Sequence, residues 1–363
     1  MPLRQVTPGF SRKPVFCVVQ ITDGKGSVNT WLEEGAGTMK IVITDCDHQD
    51  VAEERAAAER QGVELELRQC RTEEEVIAVG KDADGLLVQY APITERVLSE
   101  LPGLKAVGRY GVGVDTVDVE AASRHGVAVC NVPDYGTEDV SDHAVALALS
   151  LARGIVQLDR GVRLGDGDLA AVKPLHRFNT MVFGVVGLGR IGTATALKAQ
   201  SLGFRVIGCD PREQVGGVTA EGIPVAELDE LLAGADVVSL HVPLTPQTRH
   251  LINADVLLKF KDGAYLVNTC RGEVVDSTAV EAALRSGRLR GAGLDVFEQE
   301  PLPADHPLAS MGSTVLTPHA AWYSEESYSE LKRRAIENVI DVCAGRRARN
   351  VLNRDELSTE VMK

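Results

Sequence analysis

Short apolar runs alternate with amphipathic helical stretches along residues 39–350 of the chain. Each run has the length of a buried strand, and stretches such as 51–61 carry the periodicity of a helix. This alternation is typical of a parallel sheet covered by helices. A first series of strands is predicted near 40–44, 63–69, 85–88, 104–109 and 127–130. A second series is predicted near 181–186, 205–209, 236–240, 264–268, 291–296 and 314–317.

A long apolar-periodic stretch, 138–153, separates the two series, and a helical stretch, 325–344, follows the second. The pattern therefore predicts an α/β protein with two Rossmann-like or flavodoxin-like parallel-sheet domains and a cleft between them. The last helix can pack back on the first domain, which makes that domain discontinuous. The expected divisions are an N-terminal extension over 1–38, a first domain over 39–139 plus 324–350, a second domain over 140–323 and a C-terminal tail over 351–363.

Charge and cysteine usage narrow the classes of partner. Asp and Glu outnumber Lys and Arg by 52 to 38, a net charge of -14, so we expect no binding to nucleic acid. The seven cysteines are scattered and never form a C-x-x-C pair, which fits reduced thiols and a cytoplasmic location. The longest early apolar run, 15–19, is too short for a signal peptide or membrane span, so no membrane association is expected.

A glycine turn follows the first strand of the second series. The run 181–186 ends on Gly187-Leu188-Gly189-Arg190-Ile191-Gly192, which opens a helical stretch to Leu202. The three glycines permit a tight turn, close approach of a pyrophosphate and close packing of helix on strand, while the helix N-terminus supplies N–H donors. A lone G-x-G-x-x-G is weak evidence, and a purely structural turn is the alternative.

The next strand turns that pattern into a predicted dinucleotide site. It ends on Asp210, 23 residues after Gly187, where a carboxylate can accept hydrogen bonds from both adenosine ribose hydroxyls. The same carboxylate repels a 2′-phosphate, so NAD (NADH) is expected and NADP is less favoured. Arg212 can soften that preference because its charge is opposite.

Three further segments follow predicted strands and therefore reach the carboxyl edge of the same sheet. They are Asn268-Thr269-Cys270-Arg271-Gly272, Asp295-Val296-Phe297-Glu298-Gln299-Glu300-Pro301 and Thr317-Pro318-His319. Arg271, Glu300 and His319 can converge there. Taken singly, each is more often a surface charge, a solvated turn or a packing residue.

Together, the four motifs resemble the signatures of the D-isomer-specific 2-hydroxyacid dehydrogenase family, over about residues 39–350. The resemblance implies that Arg271, Glu300 and His319 are catalytic, that the second domain binds the cofactor and that the first holds the substrate. The chemistry agrees: a guanidinium can clamp the carboxylate and ketone of a 2-keto acid in one plane. An imidazolium beside a carboxylate can donate a proton to the developing alkoxide. No metal is required.

The family resemblance also implies contacts for the individual ligands. Substrate contacts are expected at Val112 and Gly113 in the loop that follows Arg109. The match to the C-terminal-binding-protein-like branch, in Arg109, 127–133 and 319–325, adds Arg109 and Trp322, although Trp322 can instead be a packing residue. The expected cofactor contacts are Gly187, Gly189, Arg190, Ile191, Gly192, Asp210, His241, Val242, Pro243, Thr248, Thr269, Cys270, Arg271, Asp295 and His319.

These features predict an NAD-dependent oxidoreductase that transfers a hydride between NAD(H) and a small anionic 2-keto or D-2-hydroxy acid. The alternative is an NAD(H)-sensing, corepressor-like interaction protein of the same fold, since some relatives in that branch retain the same catalytic set. The family also implies a homodimer formed through the cofactor domain.

Overall fold

A two-stranded antiparallel sheet lies in the N-terminal extension, where the sequence pattern predicted no element. In the computed structural model, which describes residues 16–23, 26–33 and 38–357, strand β1 (Phe16–Asp23) pairs with β2 (Gly26–Glu33). The other residues of the predicted extension and 358–363 of the predicted tail lie outside the described residues.

The first large sheet has five parallel strands in the order β4-β3-β5-β6-β7. The second strand of this sheet lies outside the first, which is the flavodoxin-like order of doubly wound folds. Ile41 to Ile43 and Leu86 to Val88 are fully buried, as expected of strands covered on both faces. Its elements are β3 (Lys40–Ile43), α1 (Ala52–Arg60), β4 (Glu64–Leu67), α2 (Glu73–Gly80), β5 (Gly85–Val88), α3 (Glu95–Glu100), β6 (Ala106–Arg109), α4 (Val119–Arg124) and β7 (Ala128–Cys130).

The second large sheet has six parallel strands in the order β13-β12-β11-β10-β8-β9. Its elements are α5 (Thr137–Ala152), α6 (Ile155–Arg163), β8 (Val182–Val186), α7 (Arg190–Ser201), β9 (Arg205–Cys209), α8 (Leu228–Gly234), β10 (Val237–Leu240), α9 (Ala254–Leu257), β11 (Ala264–Asn268), α10 (Ser277–Ser286), β12 (Leu289–Leu294), α11 (Pro307–Ser310) and β13 (Thr314–Leu316). Helix α12 (Glu325–Cys343) follows β13, and its later residues pack on the first sheet, where Cβ atoms on Gly85 and Gly108 would each lie 2.4 Å from Val339. These two sheets confirm the predicted α/β class.

Successive strand residues in the second sheet pack on opposite faces. Phe183 and Val185 of β8 belong to the core under α5 and α7, whereas Val186 belongs to the core on the other face with residues of α8 and α10. The strand order reverses at β8, because β9 lies on one side of it and β10 on the other. Ligands of open α/β sheets bind beyond the carboxyl ends of strands at such a switch point.

The chain divides into two structural units. Of the residues that the structure describes, those within 1–110, 116–130 and 335–357 form unit 1, and those within 111–115 and 131–334 form unit 2. Residues 111–115 group with unit 2 because Asn131 Nδ2 donates to Val112 O (2.6 Å) and Arg271 Nε donates to Asp115 Oδ2 (2.9 Å). The assignment of substrate and cofactor roles to the two domains stays a prediction.

Several predicted strands have different bounds in the structure; the strand expected at 63–69, for example, is β4, which ends at Leu67. The strand expected at 291–296 is β12, which begins at Leu289 opposite Ala264 and ends at Leu294 opposite Asn268. Asp295 follows the strand, and both of its carboxylate oxygens accept backbone N–H groups of the segment after β13. Val296 and Phe297 after Asp295 are apolar, so the sequence pattern placed the end of the strand too late.

Candidate active site

The glycine turn after β8 has two positions where no side chain fits. Gly187 has a φ of +95°, and a Cβ there would lie 2.4 Å from the carbonyl oxygen of His241. A Cβ on Gly192 would lie 1.8 Å from the carbonyl oxygen of Gly187. The fold itself therefore requires both glycines.

Gly189 differs, since a Cβ there would meet only Arg212 Nη2, 4.0 Å away. Open space therefore lies beside this backbone, where the sequence predicts a pyrophosphate. Gly189 is also the N-cap of α7, and the first-turn amides of Arg190, Ile191 and Gly192 have no acceptor within the helix. Oriented N–H donors beside open space form an anion cradle.

Asp210 follows β9 and is held in place by the turn. Its Oδ2 accepts from the Leu188 N–H at 2.9 Å, and its Oδ1 accepts from the Arg212 N–H at 2.9 Å. The Arg212 guanidinium donates to both oxygens, through Nε at 3.0 Å and Nη2 at 2.9 Å. That guanidinium, together with the two amides, lowers the pKa of Asp210 to about 2. The side chain is thus an anion at neutral pH.

The loop after β10 carries four of the predicted cofactor residues. Desolvation lowers the pKa of His241 to about 3, although part of the residue reaches solvent, and its Nε2 lies 2.8 Å from Ser239 Oγ. A neutral ring fits the prediction that His241 is not the catalytic histidine. The Thr248 hydroxyl donates to Pro243 O at 2.6 Å, so it shapes its own loop. Val242, which follows His241 in the sequence, is half-buried.

Asn268 shapes the turn that follows β11. Its Nδ2 donates to Arg271 O at 2.8 Å and its Oδ1 accepts from the Cys270 N–H at 3.0 Å. Burial raises the pKa of the Cys270 thiol, which keeps it protonated. Thr269 Oγ1 is buried and has no hydrogen-bond partner among the residues that the structure describes. A buried hydroxyl without a partner is the group that a bound ligand can satisfy.

Arg271 is oriented by a residue that the sequence reasoning missed. Its Nε donates to Asp115 Oδ2 at 2.9 Å and its Nη1 donates to Cys270 O at 2.7 Å. A Cβ on Gly113 would lie 1.9 Å from Arg271 Nη2, so the guanidinium lies directly on the backbone of the 111–115 loop. Asp115 is the last residue of that loop, and its carboxylate was the only feature of the sequence that could have indicated this role.

His319 and Glu300 form a direct pair. His319 Nδ1 lies 2.8 Å from Glu300 Oε2, and Glu300 Oε1 accepts from the Phe297 N–H at 3.0 Å. Burial by itself raises the pKa of Glu300, but the hydrogen bond and charge of His319, the Phe297 amide and the Arg271 charge together lower it. Glu300 is therefore ionised at neutral pH, and the three predicted catalytic residues share one electrostatic environment.

The backbone of His319 is held in an uncommon conformation. Its φ is +53°, a left-handed value that favours glycine. Behind it, Asp295 accepts from Ala320 N–H (2.9 Å), Ala321 N–H (3.0 Å) and Thr317 Oγ1 (2.5 Å). Asp295 thus organises the turn that carries His319, a positioning role that the sequence did not predict. Its predicted contact with the cofactor stays a prediction.

His143 of α5 belongs to the same network. Its Nε2 lies 2.9 Å from Thr317 Oγ1 and 3.6 Å from Asp295 Oδ1. Sequence reasoning missed His143, because a histidine in a helix of alanines and leucines carries no motif.

The predicted substrate residues are divided between the two units. Gly113 lies against Arg271 in unit 2, and Val112, the preceding residue, is 39% exposed. Arg109 is the last residue of β6 in unit 1, and its role stays a prediction. Trp322 packs in an aromatic cluster, with ring centroids 5.6, 5.9 and 6.4 Å from those of Tyr323, Tyr328 and Tyr135.

The described part of the chain was expected to need no metal and to have no membrane span. Within it, His, Cys, Asp and Glu side chains form no group of three or more that could hold a metal ion. No helix within it is both long enough and apolar enough to cross a membrane.

Unit 2 fits a nicotinamide dinucleotide on three independent features: the open side of Gly189, the buried Thr269 hydroxyl without a partner, and the anchored Asp210 carboxylate. Residues 145–321 match the family model described as D-isomer specific 2-hydroxyacid dehydrogenase, NAD binding domain. This match confirms the predicted cofactor class.

Individual relatives agree with the family match. A glyoxylate reductase of Korarchaeum cryptofilum is 40% identical over 280 residues, which cover 76% of this chain and 84% of that protein. A D-3-phosphoglycerate dehydrogenase of Methanocaldococcus jannaschii is 36% identical over 324 residues, 89% of this chain and 61% of that protein. The crystal structure of D-lactate dehydrogenase from Aquifex aeolicus, complexed with NAD and lactic acid, superposes with a TM-score of 0.75 at 29% identity, over 84% of this chain and 96% of that one.

Proposed function

The chain belongs to the D-isomer specific 2-hydroxyacid dehydrogenase family, and we propose that it transfers a hydride between NAD(H) and a small anionic 2-keto or D-2-hydroxy acid. The observation that carries this proposal is the His319–Glu300 pair at 2.8 Å, in the same electrostatic environment as Arg271. An acid, its carboxylate partner and a guanidinium are the groups that reduction of a 2-keto acid requires.

Arg271 binds and orients the substrate in this proposal. Two of its five N–H donors are taken by Asp115 and Cys270, which fixes the plane of the guanidinium. The remaining donors on Nη1 and Nη2 suit the carboxylate and the ketone oxygen of a 2-keto acid. Clamped in this plane, the ketone is polarised and held in one orientation.

His319 moves the proton. A nicotinamide cofactor held by unit 2 would supply or accept the hydride at the substrate carbon. Nδ1 of His319 is directed at Glu300, which leaves Nε2 to donate a proton to the substrate oxygen as its negative charge develops. Glu300 stabilises the imidazolium before that transfer, and in the oxidation direction Nε2 takes the proton from the hydroxyl.

The similarity to a glyoxylate reductase supports a proposal for the substrate. The chain spans 61% of the length of the phosphoglycerate dehydrogenase and 84% of the glyoxylate reductase described above. We propose that the substrate is a small 2-keto acid such as glyoxylate. The finer placement in the C-terminal-binding-protein-like branch rests on Arg109 and the segments 127–133 and 319–325, and it is part of the proposal, as is a cytoplasmic location.

The test is NADH oxidation with a panel of 2-keto acids: glyoxylate, pyruvate, and the keto forms of glycerate and 3-phosphoglycerate. We expect turnover with at least one of them. His319→Ala should lower kcat by about two or more orders of magnitude with NADH affinity unchanged, whereas His176→Ala, at an exposed histidine, should have no effect. Tight NADH binding without turnover on any acid contradicts the proposal and favours an NAD(H)-sensing role.

We also propose that two copies associate through helix α6. No residue of α6 is buried, and Ile155, Val162, Leu164 and Leu169 in and after it are 53%, 69%, 86% and 51% exposed. Exposed apolar side chains this close in sequence mark an interaction surface, and a second copy presents the same helix.

Light scattering after size exclusion tests the association. The wild type should be a dimer, and Leu164→Glu should be a folded monomer. Val218→Glu changes a comparably exposed apolar residue between β9 and α8 and should remain a dimer. A monomeric wild type, or a dimeric Leu164→Glu variant, contradicts this surface.

A further inference from the structure

The Asp210 carboxylate has no remaining acceptor position for a ribose. A carboxylate has about four lone-pair sites. Leu188 N–H and Arg212 Nη2 occupy Oδ2, while Arg212 N–H and Nε occupy Oδ1, all at 2.9–3.0 Å. The hydroxyls of an adenosine ribose therefore compete with the guanidinium of Arg212.

The two partners differ in how freely they move. The Asp210 side chain is 5% exposed and is anchored by two backbone amides, whereas the Arg212 side chain is 72% exposed. Arg212 is therefore the partner that leaves when a ligand enters. Its Nη2 lies 4.0 Å from the Cβ position of Gly189, so the guanidinium already lies beside the open space of the cradle.

A 2′-phosphate meets this pair differently from a 2′-hydroxyl. Asp210 alone repels the phosphate, but a planar guanidinium binds phosphate oxygens through two parallel hydrogen bonds. Loss of the Asp210–Arg212 pair is then offset by a new pair between Arg212 and the phosphate. With a 2′-hydroxyl, that loss is offset only by the hydrogen bonds of the ribose to Asp210.

We propose that Arg212 determines cofactor specificity: it lets the site accept NADP(H) beside NAD(H) by moving from Asp210 to the 2′-phosphate. The same residue weakens NAD(H) binding because it competes for Asp210. This inference rests on the proposed function, since it requires that the cradle after β8 binds a nicotinamide dinucleotide.

The test measures binding by calorimetry, without turnover, using ADP-ribose and its 2′-phosphorylated form. Wild type should bind both. In Arg212→Ala, affinity for the 2′-phosphorylated ligand should fall at least about tenfold, while affinity for ADP-ribose should rise. Arg205→Ala removes an equal charge at the first residue of β9, and it should leave the ratio of the two affinities within about twofold.

The outcomes separate the inference from the proposed function. If wild type binds ADP-ribose but not its 2′-phosphorylated form, or if Arg212→Ala weakens both ligands equally, the inference is wrong and the dinucleotide site stands. If wild type binds neither ligand, the dinucleotide site and the inference are both wrong. An Arg205→Ala variant that changes the ratio as much as Arg212→Ala also overturns the inference, because general charge then explains the effect.

Discussion

Arg271 is oriented by neighbours that perform no chemistry themselves. Asp115 and the Cys270 carbonyl each take one of its donors, and Gly113 provides the flat backbone surface on which it lies. A guanidinium can clamp a 2-keto acid only in one plane, so its neighbours determine how well it works. Substitution at Gly113 tests this dependence without altering any group that carries charge.

Gly113→Ala should misplace Arg271 while the fold remains intact. The new Cβ would lie 1.9 Å from Arg271 Nη2, at the end of a flexible side chain, so the guanidinium moves and the backbone does not. A displacement of about 1 Å can lower the rate about a hundredfold, so kcat/KM for the keto acid should fall by about that factor. NADH affinity and melting temperature should match the wild type.

Gly234→Ala is the matched control, because a Cβ at that position meets nothing within 4 Å. It should leave kcat/KM unchanged. Full activity in Gly113→Ala would show that Arg271 does not depend on the 111–115 loop.

The charge of Glu300 allows a second test of the proposed mechanism at a single residue. Its pKa lies below its ordinary value, because the interactions with His319, Phe297 and Arg271 outweigh the effect of burial. Glu300→Gln keeps the shape and removes the charge that stabilises the imidazolium. We expect kcat for reduction to fall at least about tenfold and its high-pH limit to move to lower pH.

The neighbouring Glu298–His250 pair, at 2.7 Å, is the control for Glu300→Gln. This pair also joins a carboxylate to a histidine by a hydrogen bond, but the sequence assigns it no catalytic role. Glu298→Gln should therefore keep the wild-type pH profile. Identical profiles for the wild type and both variants would remove Glu300 from the mechanism.

The turns that carry the site residues could be predicted from the sequence, because each turn follows a buried apolar strand. Gly187, Asp210, Arg271 and His319 all come soon after such a run, so their common sheet edge followed from the alternation of strands and helices. Asp115 and His143 could not be predicted in the same way. Their roles depend on partners 156 and 174 residues away, and no local pattern records such contacts.

The glycine turn allows fold and function to be separated within one element. Gly189→Ala places a Cβ in open space, so the melting temperature should not change. That Cβ occupies the approach to the cradle, and NADH affinity should fall at least about tenfold. Fluorescence titration with NADH measures the affinity.

Gly192→Ala should have the opposite pattern to Gly189→Ala. Its Cβ would lie 1.8 Å from a backbone oxygen, and overpacking costs about 1–3 kcal/mol. The melting temperature should therefore fall by at least about 3 °C. Equal stability of the two variants would contradict the assignment of Gly192 to the fold and Gly189 to the ligand.

At the scale of the whole molecule, the sequence predicts two parallel α/β sheets. It does not predict which residues at their edges group with each unit. Residues 111–115 belong to unit 2 through side-chain contacts made far along the chain. The β1–β2 pair was missed because its strands follow no regular alternation of apolar and polar residues. Packing across long sequence separations decides these boundaries.

The stability of the whole molecule should depend on pH through His241. Its pKa is lowered by burial from 6.5 to about 3, so between these values the unfolded chain binds one proton more than the folded chain. Stability therefore rises with pH in this window and is lost as pH falls below 6.5. His241→Gln should lose less melting temperature than the wild type between pH 7.5 and pH 5, measured by circular dichroism. His176→Gln, at an exposed histidine, should follow the wild type, and an equal loss in all three proteins would mean that His241 is protonated in the folded state.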